Sequence, residues 1–381
     1  MSGPTPESQP RASSERFARA FPFFMKTKQL ILPLCLALPL VLQAAVGDSA
    51  KAGERFKPTD ISWPSSPGEA AICMWKDDKL APVSVTVDDN WASEVPWWME
   101  QSAKYGNFPI TWFIITQKVG GRSNGGTWDL WNDVLARGHD VQSHTHTHLH
   151  TEDPGWSGIE AEYSESKKLI EQNMPGHRAR MLAYPGGPNS KLNSEEIAAK
   201  YYAGARWATG TLVPAGSLPY MGVRAVTESS FNNPAANWAD PKRILDPSDK
   251  MYRTWCVMIY HGAGDKVADR PFFHWLVENK DKLWLSRFCD ASLYGQEREA
   301  ATVKVTENSS SKIEMELTDT LDNATYDQPL TIKVRLPDSW KAVAATQGDQ
   351  PVEAKFVTND GSPYALVDAV PDKGKITLVS R

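Results

Sequence analysis

The sequence predicts an α/β domain with parallel strands, a barrel or an open sheet, over residues 80–298. A small all-β, sandwich-like domain is expected to follow over 301–381. Three observations carry this reading. Short apolar runs alternate with helix-patterned segments after residue 80. Acidic and histidine residues recur just past the apolar runs, where α/β folds gather reactive groups. Beyond residue 300 the pattern becomes a two-residue alternation. A chain of 381 residues is long enough for two domains of roughly 100–200 residues each.

At the N-terminus, Lys26 and Lys28 precede an apolar run from Leu30 to Leu42, and Ala44, Ala45 and Gly47 follow. A basic flank, a short apolar core and a small-residue exit predict a signal peptide over 25–47 and an exported mature chain, periplasmic or extracellular. The run is shorter than the roughly 20 residues of a bilayer span and contains Pro33 and Pro39. No integral membrane span is therefore expected in the mature chain. Residues 1–24 read as an extension upstream of the real start at Met25, and residues 48–79 as a polar linker or N-terminal wrap.

Val83–Val87 alternates like a strand and ends in two acids. Glu94–Tyr105 is helical in pattern and stops at Gly106, Ile110–Ile115 reads as a buried strand, and Thr127–Arg137 as an amphipathic helix closed by Gly138. Asp140–Ser143 leads into a histidine cluster, Ser157–Met174 is a long helix, and Met181–Tyr184 a short strand. Asn193 is expected to cap a helix reaching Tyr202. Trp255–Tyr260 is a strongly apolar strand, followed by a helix near 271–281 and a strand over Leu283–Phe288. In the last domain Ile313, Met315 and Leu317, then Leu330, Ile332, Val334 and Leu336, alternate with polar residues, and short strands recur near 354–358, 364–368 and 375–379.

Net charge −5 argues against a nucleic-acid partner, which needs a basic field. Past the leader, Cys73, Cys256 and Cys289 remain, an odd number without metal-site spacing. Fifteen tryptophans exceed either tyrosine or phenylalanine. Such rings build core or line grooves for flat ligands. Trp112, Trp255 and Trp284 fall in strands and read as core, whereas Trp91, Trp128 and Trp156 lie near strand exits and are candidate sugar platforms. Trp340 stands alone in the β domain.

Four segments carry chemistry. Asp88-Asp89 offers paired carboxylates at a strand end, one able to bind a cation and one to move protons. The run from Ser143 to His150 holds four of the chain's eight histidines, spaced so that His144/His148 or His146/His150 would share a face. With a carboxylate they make a first-row divalent site, and all four cannot converge on one ion. Tyr184-Pro185-Gly186-Gly187 ends a strand in a sharp turn with exposed N–H groups suited to an oxyanion. Ile259-Tyr260-His261-Gly262 delivers one more histidine to a strand end.

In order and spacing, Thr86-Val87-Asp88-Asp89, His144 with His148, Ala183-Tyr184-Pro185-Gly186 and Ile259-Tyr260-His261 resemble the NodB-homology polysaccharide deacetylases, carbohydrate esterase family 4. The resemblance spans roughly residues 80–295 and implies a distorted (β/α)7 barrel. It implies Asp88 as general base and His261 as general acid. It also implies Asp89, His144 and His148 as ligands of a divalent metal, zinc by default, with cobalt, nickel or manganese acceptable. Gly186 would donate its N–H to the oxyanion and Ile259 would line the pocket for the acetyl methyl; Tyr184 in the same turn and the candidate platform Trp91 are grouped with them on the substrate side. The implied substrate is an acetylated polysaccharide or oligosaccharide.

Three departures stand out. Asn90 replaces the glycine usual after the acidic pair, and Ala183 replaces the arginine that orients the base, with Arg180, Arg206 and Arg224 as possible substitutes. The family's tryptophan-containing fourth motif is not evident. Two other readings follow: a catalytically silent carbohydrate-binding protein that keeps the metal, and an amidohydrolase acting on non-sugar amides.

Overall fold

The structure, a computed structural model, describes residues 57–58 and 61–381 apart from 122–123, 150–156, 209 and 264–268. The expected leader and upstream extension lie outside the described residues, within which no helix is long and apolar enough to cross a membrane. The elements run β1 (Ala70–Ile72), β2 (Ala81–Val87), α1 (Val95–Lys104), β3 (Ile110–Ile114), α2 (Trp128–Ala136), β4 (Asp140–Ser143), α3 (Ile159–Asn173) and β5 (Met181–Ala183). They continue with α4 (Ser194–Ala198), β6 (Gly204–Ala208), β7 (Val223–Ala225), β8 (Cys256–Tyr260), α5 (Pro271–Glu278), β9 (Leu283–Leu285) and α6 (Phe288–Ala300). The C-terminal strands are β10 (Thr302–Asn308), β11 (Lys312–Thr318), β12 (Leu330–Arg335), β13 (Val343–Gln347), β14 (Gln350–Val352), β15 (Ala354–Asn359), β16 (Ser362–Ala369) and β17 (Ile376–Ser380).

Strands β7-β6-β5-β4-β3-β2-β8 pair in that order, all in parallel, with β9 on the start of β2. A parallel bridge between Val226, just past β7, and Met258 of β8 brings the two ends together into a nearly closed seven-stranded barrel. Alternate residues divide between two cores, as the pleat requires. Val83, Val85, Val87, Trp112, Val141 and Met258 pack outward with helix residues such as Trp98, Trp131 and Ile170. Phe113, Met181, Ala183, Val223, Trp255, Val257 and Ile259 form the other cluster and fill the barrel. In register, the inward set includes Thr86, Thr111, Ala183, Arg206 and Ile259. One residue past β2, β4 and β8, that same parity brings Asp88, His144 and His261 to the barrel mouth.

The C-terminal strands form two antiparallel sheets, β1-β12-β16-β15 and β10-β11-β17-β13-β14. β1 comes from the segment expected to wrap, and pairs Ala70 with Val334 across the chain. Helix α6 joins this module to the barrel. Phe288 packs on Trp255 and Phe113 with ring centroids at 4.7 and 5.5 Å, while the Tyr294 hydroxyl donates to the Cys73 carbonyl at 3.0 Å.

Two expected elements differ. The helix after Asn193 ends at Ala198, not Tyr202, and Asn193 does not cap it. Asn193 is left-handed, with φ of 50°, and Asn189 caps the short turn before it. The strand from Leu283 stops at Leu285, because Phe288 already begins α6. Cys73, Cys256 and Cys289 are free and buried.

Glu297 on α6 is fully buried. Its Oε1 accepts the Gln328 N–H at 2.8 Å and its Oε2 has no hydrogen-bond partner. Burial, with Asp319 and Asp327 nearby, pushes its carboxyl up to about 8. The folded state therefore holds a proton that the unfolded state releases, and the stability present below the ordinary 4.5 is lost as pH rises to about 8. The slope reaches about 1.4 kcal/mol per pH unit. Glu297→Gln is expected to flatten it, raising the urea midpoint at pH 8 more than at pH 5. Parallel shifts at both values would show the group to be ionised in the fold.

Candidate metal and catalytic site

Asp88 sits one residue beyond β2, its N–H donating to the Tyr260 carbonyl at 2.9 Å and so tying the ends of β2 and β8 together. The carboxylate is buried. Oδ1 accepts from Arg206 Nη2, while Oδ2 lies 3.8 Å from Nε2 of both His144 and His261. Burial would raise its pKa, but the Arg206 charge more than offsets that and holds Asp88 below the usual carboxylate range.

Of the three arginines raised as substitutes for the one absent at position 183, Arg206 is the one that meets Asp88. It is 1% exposed, with its guanidinium 5.0 Å over the Phe113 ring. Ala183 and Arg206 are Cα partners in the β5–β6 pairing. The cation thus comes from the register mate on the next strand. Arg180 instead pairs with Asp327 at 2.6 Å, and Arg224 stacks on Trp207 at 3.9 Å.

Asp89, His144 and His148 present donor atoms all within 4.8 Å of one another. Asp89 Oδ1 is 3.6 Å from His144 Nε2 and 3.4 Å from His148 Nε2. A tetrahedral zinc at ~2.1 Å from each ligand separates neighbouring ligand atoms by about 3.4 Å. Asp89 Oδ1 is buried without a hydrogen-bond partner. His144 Nδ1 lies 2.8 Å from the Ala183 carbonyl, so that nitrogen donates and Nε2 is left bare for an ion. Burial keeps His144 below the ordinary histidine pKa, neutral and fit to ligate. The residues fit a divalent ion.

The histidine loop is shaped by left-handed Thr145 and His148, at φ of 68° and 63°, and clamped by buried Glu162 of α3. The Glu162 side chain accepts from the Thr147 N–H at 2.8 Å and the Thr147 hydroxyl at 2.5 Å, and its carbonyl accepts from the His146 N–H at 3.1 Å. Nothing in the local sequence marked Glu162 for this role. His146 turns to Thr116, with Nδ1 at 3.0 Å from Oγ1, so it stands outside the cluster. His150 lies outside the described residues.

Asp89, Asn90 and Trp91 are successively left-handed, at φ of 63°, 68° and 47°. Asparagine tolerates that conformation better than most residues, which lets Asn90 stand where glycine is usual. Its amide also fastens the turn, accepting from the Ile115 N–H at 2.9 Å and donating to the Gly125 carbonyl at 3.0 Å. Trp91 is half-buried beside Gly262, where a Cβ would fall 2.9 Å from its ring, so only glycine follows His261 comfortably. His261 itself is 55% exposed, and the carboxylate against it is Asp88.

Tyr184 is buried and both its donors are spent, the N–H on the Arg206 carbonyl at 3.1 Å and the hydroxyl on the Met221 carbonyl at 2.9 Å. As an oxyanion donor it is corrected to a packing residue of the Tyr163–Tyr202 cluster. Gly186 stays exposed at the turn, with φ of 67°. Ile259 is buried between Thr86 and Val226. Trp128 packs half-buried against the helix-side core, Trp112, Trp255 and Trp340 are buried, and Trp156 lies outside the described residues.

Residues 76–203 match the family model described as polysaccharide deacetylase. A curated relative, gellan lyase of Bacillus sp, is 34% identical over 347 residues, covering 83% of this chain. The chain spans only 13% of that relative's length. Among solved structures, a family 4 carbohydrate esterase from Streptomyces lividans in complex with acetate is 18% identical, covering 54% of this chain and 91% of that one, with a TM-score of 0.34. A polysaccharide deacetylase from Bacillus cereus is 24% identical, covering 38% and 46%, with a TM-score of 0.33. The matched segment holds the acidic pair, His144 and His148, and the Tyr-Pro-Gly-Gly turn. The barrel segment over residues 76–203, which carries these motifs, therefore belongs to the polysaccharide deacetylase family.

Proposed function

We propose that this chain is an exported, metal-dependent deacetylase that removes acetyl groups, N-acetyl foremost, from a polysaccharide. The observation that carries the reading is the position of Asp88, buried and charged beside Arg206, with His144 of the donor cluster and His261 each 3.8 Å from Oδ2. Asp89, His144 and His148 would hold the ion, with zinc the default and cobalt, nickel or manganese suited to the same donors. A divalent ion there supplies Lewis acidity and brings the pKa of a water toward about 7.

Asp88 takes the proton of the water that adds to the acetyl carbonyl, and Arg206 keeps the base ionised until it does. The Gly186 N–H is the oxyanion donor at the turn, and Ile259 faces the methyl. As the carbon–nitrogen bond breaks, His261 gives its proton to the departing amine. The half-buried ring of Trp91 forms the wall beside His261. The leader pattern over 25–47 supports export, and the relative named for gellan adds that polymer to the substrates worth testing.

The test is acetate release from chito-oligosaccharides, peptidoglycan, acetyl-xylan and gellan, with and without EDTA. Release from at least one glycan, lost with EDTA and restored by zinc, is the expected result. No release from any zinc-loaded mixture would favour a silent binding protein. Release from small linear amides alone would favour a non-sugar amidohydrolase.

A further inference from the structure

Among the described residues, the large apolar side chains left exposed are Ile61, Trp238, Val277 and Val379, and Trp238 is the one aromatic among them. It lies in the connection between β7 and β8, in a short turn over Pro234–Ala239, and is 55% exposed. An exposed indole forfeits the burial that normally stabilises it. This one is nevertheless held in place. Its Nε1–H donates to the Gly210 carbonyl at 3.3 Å, and its own carbonyl accepts from Arg243 Nη1 at 2.6 Å. Arg243 in turn makes two bonds to Asp249, at 2.7 and 2.9 Å, and Asp249 Oδ1 also accepts the Met251 N–H at 2.8 Å.

The ring borders an open groove of about 420 Å³ whose polar rim includes Thr211, Asn237, Asp240 and Lys250. That volume falls within the roughly 300–1,000 Å³ of small-ligand sites. The anchor ties the ring to the carboxyl ends of β6 and β7. Gly210 lies two residues past β6, the strand of Arg206, and its N–H donates at 2.9 Å to the carbonyl of Ala225, the last residue of β7. Trp207, nearer on the chain, has its ring covered by Arg224 at 3.9 Å.

We propose that Trp238 and the groove beside it are a distal subsite for one pyranose ring of the glycan chain. The apolar C–H face of a pyranose stacks on a flat, pre-positioned indole, and its hydroxyls find an amide, a carboxylate, an ammonium and a hydroxyl around the rim. An apolar protein partner would bury the charge of Lys250 and the amide of Asn237 at the rim. This inference rests on the deacetylase reading and extends it to chain-length preference: a polymer reaches both Asp88 and Trp238, and a short oligosaccharide reaches only the first.

The test compares zinc-loaded wild type, Trp238→Ala and Trp238→Phe on chitobiose and chitohexaose. In Trp238→Ala, KM for chitohexaose is expected to rise about fivefold, with kcat and all chitobiose parameters unchanged, and Trp238→Phe to recover most of the loss. Equal changes on both substrates, or none on either, would overturn the subsite while leaving the deacetylase reading intact. If neither sugar releases acetate, the deacetylase reading fails for chitin-like chains and the subsite is read by binding alone. Titration of chitohexaose, followed by tryptophan fluorescence, is then expected to saturate in wild type and be weakened in Trp238→Ala. Identical curves, or no binding to wild type, would overturn it.

Discussion

Asp88→Asn is expected to cut acetate release by about 10³–10⁴, within or at the upper end of what a general base contributes, with bound metal unchanged. Asparagine keeps the size of the side chain and an oxygen for Arg206, so the turn through Asp89, Asn90 and Trp91 has no new clash to relieve. What it loses is the ability to accept a proton. It also leaves the Arg206 charge buried over Phe113 without its counter-ion. Removing one partner of a buried pair costs about 3–5 kcal/mol, so the melting temperature should fall and rates must be read well below it. Metal content by elemental analysis separates the two effects, because Asp89, His144 and His148 remain. Near-wild-type turnover with full metal content would assign the base to another group.

The strands that lead into the acidic pair and the histidines were legible because each is a run of apolar or alternating residues ending in a reactive one. The parts that complete the site were not. β6 reads Gly-Ala-Arg-Trp-Ala, and an arginine in mid-strand erases the apolar signal; it is tolerable there because Asp88 meets it inside the barrel. α6 is buried on nearly every side, from Phe288 through Leu293 and Gly295 to Glu297 and Arg298, so no polar stripe marks it as a helix. Gly295 is required by close approach, since a Cβ there would fall 2.4 Å from the Tyr220 hydroxyl. β1 lies in a polar segment and finds its partner β12 only through the folded chain. The choice of Arg206 over Arg180 and Arg224 depends on strand register, which no local pattern encodes. Trp91 lies beside the acids in the fold as in the sequence, while Trp238 is held by a hydrogen bond to Gly210 that residue order does not announce.

That register makes the placement of the arginine a reversible property. Arg206→Ala is expected to lower kcat/KM about a hundredfold, the scale on which a misplaced reactive group costs rate, with metal content retained. Without the guanidinium, burial dominates at Asp88 and its pKa rises, so the acid limb of the rate profile should move to higher pH. Ala183 faces the same side of the sheet as Arg206, on the paired strand, and its contribution to His144 comes from the backbone carbonyl, which any side chain preserves. An arginine introduced at 183 into the Arg206→Ala background is therefore expected to recover at least tenfold in kcat/KM and to return the acid limb toward its original position. In the wild-type background the same Ala183→Arg change crowds two buried cations around one carboxylate, and should destabilise the fold. The double variant must then outperform both single ones, a sign of coupling that independent effects cannot produce. A double variant no better than the worse single one would mean that Arg206 acts through packing in the barrel rather than through its charge on Asp88.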